Sequence, residues 1–257
     1  MDYLLFRLYG PVASWGEIAV GVTRHTATYP GKSAIIGLIS AALGIRRNEA
    51  AKQRNMQNGY AVAVEVFSHG TLLRDYHTAQ VPDSVGTFRY RTRRDELIMG
   101  KDRLETILSS REYRSDPLAL VAVRALADPP EDLETLKHYL EKPKFHLYLG
   151  RKSCPLAAPM NPVIVKGKNF FDAFQAYQHK RLLPFNSDDS GWTKRDNYWL
   201  GLGQGRHYYW EGEPSDFSDT LDFSKMQTRI RHDQPLSRTR WQFSPRREHY
   251  FFISGGE

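Results

Sequence analysis

Tyr29-Pro-Gly-Lys-Ser-Ala-Ile-Ile-Gly-Leu-Ile-Ser-Ala-Ala-Leu-Gly-Ile45 reads as a loop running into one short apolar helix. Pro30 and Gly31 break the chain, Ser33 is the expected N-cap, and Gly44 is placed to stop the helix. Ile35, Leu38, Ile39 and Ala42 recur at helical spacing, so one face belongs in a core. The first backbone N–H groups of such a helix have no internal partner and carry partial positive charge. With Lys32 beside them they form a natural phosphate site. Gly31-Lys32-Ser33 matches the end of a P-loop, but that motif needs a glycine five residues before Gly31. Position 26 is Thr26, which argues against a nucleotide triphosphatase. The plainer alternative is a core helix whose basic loop is merely solvated.

On the N-terminal side, Tyr3-Leu-Leu-Phe-Arg-Leu-Tyr9 is apolar with one basic break and reads as a buried strand. Gly10-Pro11 ends it. Trp15 follows beside Gly16, and Thr23-Arg24-His25-Thr26 is polar and basic. Strand, basic loop and helix therefore come in succession, as at the start of ferredoxin-like and RRM-like sheets.

On the C-terminal side, Ala61-Val-Ala-Val-Glu-Val-Phe67 is a second strand, and Leu72-Leu-Arg-Asp-Tyr-His77 is expected to return antiparallel to it. From Thr78 to about 103 apolar periodicity is lost. Within it, Phe88-Arg-Tyr-Arg-Thr-Arg-Arg94 alternates arginines (Arg89, Arg91, Arg93, Arg94) with rings. This pattern predicts a strand or hairpin arm able to grip phosphates and stack bases; the alternative is a solvated arm tip. Leu118-Ala-Leu-Val-Ala-Val123 is a third strong strand, and 129–141 a helix with Leu133, Leu136 and Leu140 on one face. These elements predict an α+β fold with helices on one face of the sheet.

Lys142-Pro-Lys-Phe-His-Leu-Tyr-Leu-Gly-Arg-Lys-Ser-Cys-Pro155 predicts a half-buried strand from Phe145 to Leu149. Gly150 is expected to allow close approach of a ligand. Arg151, Lys152 and Ser153 offer cations, a hydroxyl and backbone donors beside Tyr148. Beyond Pro155 the pattern weakens: a short strand at 160–165, a short helix at 170–177, and an irregular insertion at about 183–223. The stretch 225–247 has seven Lys/Arg against one acid, Asp233. A closing strand follows at His249-Tyr-Phe-Phe-Ile253.

The net charge is +7 with 12% aromatics, which favours nucleic acid as a partner. One cysteine, Cys154, excludes an internal disulfide and argues against a thiolate metal site. The nine histidines lie apart with no His-x-x-x-His pattern, so neither a metal nor a cofactor is expected. No leader opens the chain and its apolar runs are too short to span a bilayer, which predicts a cytoplasmic protein with no membrane contact. Arg74, Tyr76 and His77 are read as RNA contacts. The alternative makes His77 a general base on a ribose hydroxyl, in a metal-independent endoribonuclease.

Several stretches together resemble one family: Gly10-Pro-Val-Ala-Ser-Trp-Gly16, Thr23-Arg24, Tyr29-Pro-Gly-Lys-Ser33, Leu43-Gly-Ile45, Leu73-Arg-Asp-Tyr-His-Thr78, Arg111-Glu-Tyr113 and Tyr148-Leu-Gly-Arg-Lys-Ser-Cys-Pro-Leu156. In this order and spacing they resemble the CasD-type form of CRISPR-associated protein 5, a RAMP-superfamily subunit of type I-E Cascade. The resemblance runs from Leu4 to Gly256 and departs at about 165–230. It implies an RRM-like (ferredoxin-like) antiparallel sheet in residues 1–155, with a protruding β-hairpin thumb at about 78–110. A smaller, β-rich C-terminal region would occupy 156–257. It also implies a non-catalytic crRNA-binding subunit that holds the 5′ handle of the guide. This subunit would cap the backbone filament against its first subunit and the large PAM-reading subunit, and reach target DNA only through the complex. The thumb-base arginine falls on Arg111, the loop residues on Arg24, Lys32 and Ser33, and the handle-facing strand end on Arg151, Lys152 and Ser153.

Overall fold

The computed structural model describes residues 1–17, 19, 21–83, 89–98, 101–177, 205–237, 240 and 242–255. The first half runs β1 (Asp2–Tyr9), β2 (Val12–Ala13), β3 (Trp15–Gly16), β4 (Thr23–Arg24), β5 (Thr26–Ala27), α1 (Lys32–Leu43), α2 (Ala50–Asn58), β6 (Tyr60–Ser68), β7 (Thr71–Pro82), α3 (Arg93–Ile98), β8 (Leu104–Ser115), β9 (Leu118–Ala125) and α4 (Leu133–Glu141). The second half adds β10 (Val163–Lys166), α5 (Phe170–Ala176), β11 (Arg206–Trp210), a helical turn (Pro214–Phe217), β12 (Gln227–Ser237) and β13 (Gln242–Ile253).

Seven strands form one sheet in the order β10-β1-β9-β6-β11-β13-β12. Every adjacent pair is antiparallel. β1, β6 and β9 are unbroken apolar runs because both faces of the sheet are covered. On one face Leu4, Phe6, Val62, Val64, Val121 and Val123 pack with Ile35, Ile39, Leu136 and Leu140 of α1 and α4. On the other, Tyr3, Leu5, Ala63, Leu120, Tyr208 and Trp210 pack with Phe170, Phe174 and Phe217. The expectation of helices on one face alone is thus corrected: α5 and the 214–217 turn close the second face. Arg7, inside buried β1, is satisfied by donating from Nε to the Pro159 carbonyl at 2.8 Å.

The sheet also corrects the reading of the C-terminal half. Arg206–Trp210, expected within an irregular insertion, is a strand between β6 and β13. The 183–204 part of that insertion lies outside the described residues. Within the basic stretch Gln227–Ser237 pairs with the strand from Gln242 as a ribbon, β12 on β13, so the closing strand begins at Gln242 rather than His249. β10, β11, β12 and β13 join the same sheet as β1, β6 and β9, across the position 155 at which the sequence reading divides the chain. α2 escaped sequence reading because Ala-Ala-Lys-Gln-Arg-Asn-Met-Gln-Asn buries only Met56 and Gln57 and shows no apolar stripe.

A second, four-stranded sheet is built on β8. β7 pairs with it over its whole length, from Thr71↔Ser115 to Pro82↔Leu104, making one long hairpin. At the root, β2 and β4 line the opposite edge of β8. The hairpin strands therefore span 71–115, wider than the expected 78–110. The stretch ending in Arg94 is not a strand: Arg89 and Arg91 lie in loop, and α3 begins at Arg93. Phe88 lies outside the described residues. Thr92 and Asp95 cap α3 reciprocally, Asp95 N–H donating to Thr92 Oγ1 at 3.2 Å and Thr92 N–H to Asp95 Oδ2 at 3.0 Å. That local hydrogen bonding defeats the alternation that suggested a strand.

Candidate nucleic-acid interface

The hairpin root gathers three expected basic residues from three parts of the chain. Arg24 of β4 lies directly beside Arg111 of β8 in a parallel pair. Strands in a sheet stand about 4.8 Å apart, so like charges in this register repel unless an anion lies between them. Both side chains are exposed. Among the described residues no carboxylate pairs with Arg111. Asp75, across from it on β7, bonds His77 Nε2 instead. Arg151 completes the group: its guanidinium lies 4.8 Å over the Tyr113 ring, and it donates to the main-chain carbonyls of Glu112 at 3.3 Å and Arg24 at 3.4 Å.

Arg151 is held there by the loop 148–155. The expected strand from Phe145 to Leu149 is absent. The residues form a turn closed by one bridge, Tyr148↔Pro155, and by Leu149 N–H on the Cys154 carbonyl at 2.8 Å. Ser14 seats the loop, its N–H donating to the Leu149 carbonyl at 3.0 Å and its Oγ to the Glu112 carbonyl at 3.0 Å. Gly150, at φ +86°, passes so close that a Cβ would lie 1.8 Å from the Ser14 carbonyl oxygen. Its freedom thus serves loop docking, not the ligand approach expected from the sequence. Tyr148 is half-buried, and Lys152 and Ser153 are exposed on the same turn.

The opposite side of the root is electrically different. In register, Arg74 faces Glu112, and both lie one residue off the Asp75–Arg111 pair, so they point to the other face. Glu112 accepts from Arg74 at 3.0 Å and pairs with His25 Nδ1 at 3.2 Å. The carboxylate is only 8% exposed, covered thinly by those two side chains. Burial raises its pKa, but the bonds from Arg74 and His25 outweigh that and hold it below the usual carboxylate range. Tyr76 is exposed on this side, while His77 lies on the Arg111 side. Farther out, Arg89, Arg91, Arg93 and Arg94 are exposed at the hairpin tip, with Arg93 tied to Glu96 and to the Gln80 carbonyl.

Lys32 and Ser33 are not part of this group. α1 begins at Lys32 with Gly31 as N-cap, so Ser33 is not the cap. Lys32 is buried and paired with Glu211 at 2.6 Å. The start of α1 is filled from within: Asp233 of β12 accepts from the Lys32 N–H and forms two 2.9 Å bonds with Arg246. Arg246 also bonds Glu248 at 2.7 Å, and Arg231 bonds the Tyr29 hydroxyl at 3.1 Å. The phosphate site expected at Lys32 is therefore corrected: an internal carboxylate holds that place. Two cations of the basic stretch, Arg231 and Arg246, serve this network. Sequence reading missed Glu112, His25, Ser14, Glu211 and Asp233, since nothing local marks a residue whose partner lies far along the chain. Among the described residues no group of three or more His, Cys, Asp or Glu is placed to hold a metal. No helix there is long and apolar enough to cross a membrane.

The sequence profile described as CRISPR-associated protein (Cas_Cas5) matches residues 3–248. The chain is 32% identical over 167 residues to the CRISPR system Cascade subunit CasD of Escherichia coli (strain K12), covering 62% of this chain and 69% of that one. Its fold is similar to a chain of a CRISPR RNA-guided surveillance complex, with a TM-score of 0.63 at 23% identity over 98% of this chain and 90% of the other. A crystal structure of a Cas protein gives a TM-score of 0.55 at 23% identity, covering 98% and 95%. A mixed α/β chain with antiparallel sheets, matched by that profile over nearly its whole length, belongs to the CRISPR-associated protein 5 family.

Proposed function

We propose that this chain is a non-catalytic subunit of a type I-E CRISPR surveillance complex and holds the repeat-derived 5′ handle of the crRNA. The large sheet is the RRM-like scaffold and the β7–β8 hairpin is the thumb. The observation that carries the reading is the Arg24–Arg111 pair, two exposed neighbouring arginines with Arg151 beside them. A phosphodiester between them removes their repulsion, and Tyr148 offers a ring to an unstacked base. Lys152, Ser153 and the tip arginines Arg89, Arg91 and Arg94 extend the contact along the strand. In the same reading the chain caps the backbone filament, contacts the large PAM-reading subunit and reaches target DNA through the complex; the similarity to a Cascade subunit supports its place in such an assembly.

A second reading, a metal-independent endoribonuclease, has one observation in its favour: His77 is paired with Asp75 on the Arg111 side of the hairpin. Such a pair is the orienting arrangement of a general base. Incubating the full chain with labelled repeat RNA, with and without divalent metal, decides between them. The first reading expects intact RNA and loss of guide-dependent assembly on Arg111→Glu. Specific cleavage abolished by His77→Ala would install the second.

A further inference from the structure

Each side of the hairpin root carries one carboxylate, Asp75 on the Arg111 side and Glu112 on the other, but Asp75 is bonded to His77 while Glu112 is bonded to an arginine. We propose that Glu112 selects the side on which RNA binds, by cancelling the charge of Arg74 and engaging His25, so that the Arg24–Arg111–Arg151 side is the one that attracts phosphate. This inference rests on the reading above, that the root binds single-stranded RNA.

The geometry supports it in three ways. Glu112 Oε1 and Oε2 are used separately, one by Arg74 at 3.0 Å and one by the His25 ring at 3.2 Å, so both side chains are drawn onto one anion. Arg74 is well exposed, at 62%, and an approaching phosphate would meet its charge already offset. Meanwhile the main-chain carbonyl of the same residue accepts from Ser14 Oγ and from Arg151, fixing the third arginine of the open side. The next residues along β8 in either direction, Arg111 and Tyr113, face the opposite way. One residue thus neutralises one face through its side chain and organises the other through its backbone. A flexible strand offered two equal basic faces would bind in several paths; a repulsive element on one face removes the wrong ones.

Glu112→Gln separates the two roles, because it keeps the main-chain carbonyl and the side-chain shape and removes only the charge. The assay is fluorescence anisotropy of the full chain with repeat-derived RNA and with an unrelated single strand of equal length, over a series of salt concentrations. Glu112→Gln is expected to bind the unrelated strand about three- to ten-fold tighter. Its salt slope should steepen by about 0.7, the value for one added cation on a single strand. Adding Arg74→Ala to that variant should reverse most of the gain. In the unsubstituted chain, Arg74→Ala should weaken repeat RNA by less than Arg111→Ala does, a comparison that stands even if Glu112→Gln folds poorly. A folded Glu112→Gln that binds both strands as before, or more weakly, overturns the inference. So does an Arg74→Ala loss equal to that of Arg111→Ala. If the unsubstituted chain binds neither strand, the RNA-holding function itself fails, a result distinct from the other two.

Discussion

Removing the carboxylate of Asp233 should unfold the chain at markedly lower temperature, and the structure fixes the size and pH dependence of the effect. Asp233 joins the β12–β13 ribbon to the start of α1 and makes two 2.9 Å bonds to Arg246, whose side chain is 7% exposed. Asp233→Ala leaves Arg246 buried with Glu248, at 2.7 Å, as its remaining carboxylate partner and opens the first turn of α1. Breaking one partner of a buried pair costs about 3–5 kcal/mol. At about 2–4 °C per kcal/mol for a chain of this size, the midpoint should fall by about 6–20 °C. The sign with pH follows from linkage. Burial pushes the Asp233 carboxyl up, but its bonds to Arg246 prevail and hold its pKa below the usual aspartate value. A carboxylate depressed in the folded state contributes stability above its unfolded pKa, about 3.9, and loses it as pH falls through the folded value. Urea unfolding at pH 7 should therefore show the full difference between the two proteins, and the gap should narrow below about pH 4. A difference under about 1 kcal/mol at pH 7, or one that does not change with acidity, would refute the claim that this network ties the ribbon to α1.

Gly150→Ala places a Cβ on the Ser14 carbonyl at a positive φ, so the 148–155 loop must lift. RNA affinity should drop several-fold with Arg151 displaced, read by the same anisotropy assay, while the midpoint falls by only a few degrees. Glu65 is buried, and desolvation raises its carboxyl to about 7 against the opposing pull of Tyr208 and Arg206. An acid raised in the folded state holds its proton more tightly there, so stability falls as pH climbs from about 4.5 to 7 and is level above. Glu65→Gln should flatten that limb in thermal melts between pH 5 and 8. His69 moves the other way: burial and the nearby His207 and Arg114 lower it to about 4. Its folded form resists protonation, so the acid side of the stability curve below about pH 6.5 should be shallower in His69→Gln.

The fold was most legible where the chain is most buried. Tyr3-Leu-Leu-Phe-Arg-Leu-Tyr9 and Leu118-Ala-Leu-Val-Ala-Val123 are long apolar runs, and both are central strands. Their lack of alternation already carried the information that both sheet faces are covered. Leu133, Leu136 and Leu140 marked α4 because its apolar stripe and its Asp132 cap agree. β11 was illegible because Arg206-His-Tyr-Tyr-Trp210 is polar-aromatic and lies beside an acidic stretch; its place depends on pairing with Ala63–Val66 far upstream. At the site, Arg24, Arg111 and Arg151 could be named from local motifs. Their convergence could not, since it rests on the β4–β8 pairing and on Ser14 beneath the 148–155 loop. Lys32 failed for the same reason: Glu211 and Asp233, its partners in space, lie about 180 to 200 positions away along the chain.

The salt dependence of RNA binding tests the central claim most directly. Each arginine that gives up counterions on a single strand contributes about 0.7 to the slope of log affinity against log salt. Replacing Arg24, Arg111 and Arg151 together by alanine should therefore reduce the slope for repeat-derived RNA by about 2, with the fold intact by circular dichroism. A triple variant that binds with the unsubstituted slope would show that the arginines at the hairpin root do not hold the strand.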